Sequence, residues 1–93
     1  MAEPEEVTAL GRLFGATARA HHEATGGPNP DWAYWYGEHL AGKIDAFVGF
    51  SPEIEVIAEW LTWADQKHRA EAPGQKWPYY YAGQILDRLE QDG

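Results

Sequence analysis

Residues 31–44 read DWAYWYGEHLAGKI, and residues 76–89 of the same 93-residue chain read KWPYYYAGQILDRL. Laid over one another at a spacing of 45, they share the pattern W-x-Y-[WY]-Y-[GA]-x-x-[LI]-x-x-[KR]-[IL]. Trp32 falls over Trp77, Tyr34 over Tyr79, Tyr36 over Tyr81 and Lys43 over Arg88. Trp32, Tyr36, Leu40, Ile44 and Phe47 recur at helical spacing in the first copy, as do Tyr81, Ile85 and Leu89 in the second. The segments upstream also align, ARAHHEATGGPNPD over ADQKHRAEAPGQK, with Ala18 over Ala64, His22 over His68 and one residue gapped in the loop. Each half then reads as a helix, a Pro-Gly loop and an aromatic-rich helix. The alternative is a chance similarity between two helix starts in a chain rich in Trp and Tyr.

Outward from the repeat, the remaining elements are helical too. Val7, Leu10, Phe14, Ala18 and His21 form one stripe over residues 4–25, and GGPNP at 26–30 ends that helix. Asn29 or Asp31 is placed to cap the second helix. Ser51, followed by Pro52, Glu53 and Glu55, reads as the start of a third, with a side-chain cap and acids at the positive end of the helix dipole. Ile54, Ile57, Leu61, Ala64 and His68 line that helix, APGQ at 72–75 breaks it, and Pro78 opens a short fourth. No segment alternates long enough to be a strand. The expectation is an all-α single domain over residues 1–93, a four-helix bundle of two helical hairpins with an internal pseudo-repeat.

Composition limits the function. The chain carries 15 acids against 7 bases, a net charge of -8, which repels phosphate backbones and argues against nucleic-acid binding. Mean hydropathy of -0.56, with no long uncharged apolar run, argues against a membrane span. The acidic start MAEPEE lacks the basic and apolar parts of a secretory signal, and the absence of cysteine fits a reducing compartment, so a cytoplasmic location is expected.

The motif DWAYWYGEHL, preceded by ARAHHEATGG and echoed by EAPGQKWPYYYAGQIL, resembles a family of small bacterial helical domains. Their pattern is a His-bearing helix, a Gly/Pro/Asp loop, W-x-x-W-Y-A-x-x-L, and a later EAPxxxWPxYYAxxL. The likeness runs from about residue 18 to residue 89 and implies an all-helical fold. No established activity, cofactor or catalytic residue comes with it. Gly37 stands where the pattern favours Ala, at a cost of about 1 kcal/mol unless a neighbour packs close.

Two sets of side chains are candidates for function. At about 100° per residue, Trp32, Trp35 and Tyr36 share a face of the second helix while Tyr34 points away, a division that Tyr79 repeats in the fourth. Val56, Trp60 and Trp63 add a second apolar stripe to the third helix. Tyr34, Tyr79, Trp60 and Trp63 are therefore candidate contacts for a protein partner or a second copy of the chain, and a non-enzymatic interaction or self-association module is the first expectation. The alternative is a small-molecule or metal-binding module in which Trp35, His39, His21 and His68 line a site between helices. His21, His39 and His68, with Glu23, Glu38 or Asp65 nearby, would make a metal site of imidazoles and carboxylates. No H-x-x-x-H or E-x-x-H pair supports it, and no motif identifies a cofactor. Helical phase directs His21 and His68 inward and His22 toward the polar edge, against the alignment that pairs His22 with His68. Catalysis finds little support: G-x-S-x-G and a phosphate-binding Gly loop are absent, and Ser51 is the only serine. Lys43 and Arg88 are placed to hold an anion or to cover Trp rings with their stems.

Overall fold

A computed structural model of the chain describes residues 3–26 and 30–92. These residues form five helices and no strand: α1 (Pro4–Thr25), α2 (Trp32–Leu40), α3 (Asp45–Val48), α4 (Ile54–Glu71) and α5 (Trp77–Asp92). The all-helical reading holds, and the count of helices differs. None of them is long and apolar enough to cross a membrane.

α1 starts on Pro4 with Glu5 and Glu6 in its first turn, where acids favour the positive end of the dipole. It ends at Gly26, whose left-handed backbone (φ 78°) lets its N–H donate to the His22 carbonyl at 2.8 Å. α1 packs on α5 and α2, while α4 packs on α2 and α5. The core that results is contributed by all four long helices, with Leu10 and Phe14, Tyr36 and Leu40, Ile57 and Leu61, and Tyr81 and Ile85 buried together with Ile44. Close approach is possible where side chains are missing. A Cβ on Gly37 would stand 2.9 Å from the Ile54 carbonyl oxygen, so Gly37 admits the start of α4 against α2, and Gly11 lets the Tyr79 ring lie on α1.

The last helix is not short but runs 16 residues from Trp77, and two further boundaries differ from the sequence reading. The second helix does not run to Phe47: it stops at Leu40, Gly42 takes φ 83°, and the chain re-enters a single helical turn as α3. Ile44 still reaches the core, so the apolar spacing survives although the helix does not. Ser51 does not cap the next helix either. Its hydroxyl donates to Asp45 Oδ2 at 2.6 Å, and α4 begins at Ile54 with Glu53 in the N-cap position and no side-chain cap bond. Asp31 holds the N-cap position of α2 without such a bond, and Asn29 lies outside the described residues.

Candidate functional site

Both copies of the aromatic motif open on the same cavity. Trp32 and Tyr36 from α2, with Trp77 and Tyr81 from α5, line a pocket of about 380 Å³, closed on its α4 side by Asp65, His68 and Arg69 and at its rim by Pro73. A Trp and a Tyr four residues apart lie one turn apart on one helix face. Each copy therefore delivers a paired wall. The rings contact in sequence: Trp32 on Tyr36 at 5.7 Å and 88°, Tyr36 on Trp77 at 6.2 Å and 58°, Trp77 on Tyr81 at 5.0 Å and 59°. These inclined arrangements are the ones aromatic quadrupoles favour.

The polar groups of the pocket are tied to one another. Tyr81 donates its hydroxyl hydrogen to Asp65 Oδ1 at 2.5 Å, while Arg69 Nε pairs with Asp65 Oδ2 at 3.2 Å. Burial, then the hydrogen bond and charge of Asp65, push the Tyr81 hydroxyl far above its ordinary range, so it remains a neutral donor. Burial also raises Tyr36. His68 Nε2 donates to the Gln75 carbonyl at 2.7 Å, which ties the loop before α5 to the end of α4 and so helps to place Trp77. The half-buried imidazole satisfies this donor on the backbone carbonyl.

Of the ligand residues proposed from the sequence, His68 and the carboxylate candidate Asp65 line this cavity. Trp35, His39 and His21 lie behind it, where His21 meets Trp35 edge-on at 4.9 Å and Tyr36 at 5.3 Å, and Trp35 stacks on His39 at 5.2 Å and 8°. His21 Nε2 is buried with no hydrogen-bond partner among the described residues. His68 contacts Tyr80 and Tyr81, and His21 contacts Trp35 and Tyr36, whereas His22 is exposed. Among the described residues no three His, Asp or Glu side chains converge to hold a metal ion.

The proposed partner residues do not share one patch. Trp60 is only 6% exposed and packs under Phe50, whereas Tyr34 is 52% exposed and shares with Trp63 a shallow depression of about 510 Å³ beside Glu55 and Glu59. The Arg88 guanidinium covers Trp63 at 4.9 Å from the ring centroid. Tyr79, 39% exposed, lies against α1 instead. Lys43 spends its ammonium on the His39 carbonyl at 2.9 Å, near the end of α2.

Trp32, Tyr36, Trp77, Tyr81, Asp65 and Arg69 were not singled out together from the sequence, where the aromatic residues read as faces of separate helices. The signal that points to them is the repeat itself. No family model, curated protein or solved structure matches the chain.

Proposed function

We propose that this chain is a small-ligand-binding helical module whose duplicated aromatic motif builds one pocket. The observation that supports it is the convergence of Trp32 and Tyr36 with their motif counterparts Trp77 and Tyr81 on a single cavity. Its volume of about 380 Å³ lies within the range of small-molecule sites, roughly 300–1,000 Å³, and its few polar groups on an aromatic wall are the usual composition of such sites. The same reading treats the long helices as two hairpins related by an approximate two-fold. The matching contacts of His21 and His68 with their halves' aromatics support that relation.

The test is a fragment screen read by the indole N–H resonances of a ¹⁵N-labelled sample. Binders are expected to move the Trp32 and Trp77 signals, and Trp77→Ala is expected to abolish the effect in a chain that still melts cooperatively. A broad library that leaves both resonances in place would remove the reading.

A second reading, a protein-contact or self-association module, draws support from Tyr34, whose exposed ring borders the depression beside Trp63. Sedimentation velocity from micromolar to millimolar chain discriminates it. A dimer that Tyr34→Ala dissociates would favour this reading, and a monomer throughout would leave self-association without support.

A further inference from the structure

Resting on the pocket reading above, we infer that the pocket takes a methylated organic ammonium group, held against the Trp32, Tyr36, Trp77 and Tyr81 rings beside the Asp65 carboxylate. Ring faces carry partial negative charge and attract a cation within about 6 Å of the centroid. Four inclined rings favour positive charge, the Asp65 carboxylate at the wall is shared with the Arg69 guanidinium, and a chain of net charge -8 adds a field that attracts cations.

The polar groups narrow the cation further. A hard metal ion takes six or more oxygen ligands, and the pocket wall offers one carboxylate. A primary ammonium needs acceptors for three N–H donors, and the Asp65 oxygens already accept from Tyr81 and Arg69, which leaves about two of their roughly four lone-pair sites and so too few for all three. A trimethylammonium group has no N–H to satisfy and buries its methyls on the rings. An anion finds a largely aromatic wall and a guanidinium already paired. Arg69 is the competing cation, and it is weakly held: its side chain is 76% exposed, and exposed ion pairs contribute little. His68 does not compete for the carboxylate, because its Nε2 hydrogen is on the Gln75 carbonyl.

The probe is choline, titrated into labelled wild-type chain beside its neutral isostere 3,3-dimethylbutan-1-ol and beside ethanolamine. Choline is expected to move the Trp32 and Trp77 indole signals with an affinity roughly tenfold above that of either analogue. Arg69→Ala, at an exposed position, is expected to strengthen choline binding by roughly threefold by freeing Asp65, a gain that a purely structural role for Arg69 does not produce. Phosphatidylcholine vesicles distinguish the source of the group. Co-sedimentation that choline competes away supports the same chemistry with a lipid headgroup as source, and no co-sedimentation beside a choline response supports a free small molecule. Equal binding of the neutral isostere overturns the ammonium inference and leaves the pocket reading standing. A fragment hit at Trp32 and Trp77 with no choline response does the same, whereas failure of every probe and fragment removes both.

Discussion

Gly37 and Gly15 both sit inside helices, yet a methyl group added to each meets different surroundings. At Gly37 it would stand 2.9 Å from the Ile54 carbonyl oxygen and 3.0 Å from Ile54 Cγ2, so the junction of α2 with α4 has to open. At Gly15 nothing lies within 4 Å. Gly15→Ala is expected to stabilise the fold by about 0.5–1 kcal/mol, because alanine gives up less backbone entropy in a helix. Gly37→Ala is expected to destabilise it by about 1–3 kcal/mol through overpacking, despite the better helix propensity. Urea unfolding of the two variants checks the opposite signs. Tyr81 carries a second residue-scale expectation. Its hydroxyl is held protonated in the fold while the unfolded chain releases that proton near pH 10, so above that pH the unfolded state binds fewer protons and stability falls. Melting temperature followed from pH 8 to 11 should decline, and Tyr81→Phe should flatten the decline. An unchanged slope in the variant would remove Tyr81 as its source.

At the scale of elements, the turn between α2 and α4 is held by Ser51 and Asp45. Ser51→Ala removes a hydrogen bond to a carboxylate whose other oxygen is buried without a partner among the described residues, and should cost about 1 kcal/mol. For a domain of this size that lowers the melting temperature by about 4–8 °C, measurable by calorimetry. This element also marks how far the sequence could be read. α1 was legible to its ends, because Pro4, the apolar stripe and Gly26 are all local signals. The break after Leu40 was not, because Ile44 and Phe47 keep helical spacing across it and mask the local stop at Gly42, where φ is 83°. Ser-Pro-Glu carries the letters of a helix cap, but Asp45, six residues upstream, takes the hydroxyl. The pocket was hidden for the same reason: Trp32 and Trp77 each read locally as apolar faces, and only packing across α2, α4 and α5 brings them to one cavity.

For the whole molecule, a radius of gyration of 12.4 Å is that of a compact chain of this length, roughly 12 Å. A ligand in the pocket would touch three of its helices at once. Occupancy at 100 times Kd adds about 2.7 kcal/mol to the folded state, and a calorimetric scan with saturating ligand should show the gain as a rise of about 10–20 °C in melting temperature. A rise that Trp77→Ala retains would place the ligand elsewhere. The seam between the motif copies has a practical consequence. Trp32 and Tyr36 precede the Gly49–Ser51 turn, and Trp77 and Tyr81 follow it, so cutting the backbone there yields two fragments that each keep one Trp-Tyr pair of the pocket lining. On the pocket reading proposed above, such fragments would be the parts of a split reporter that a small ligand brings back together.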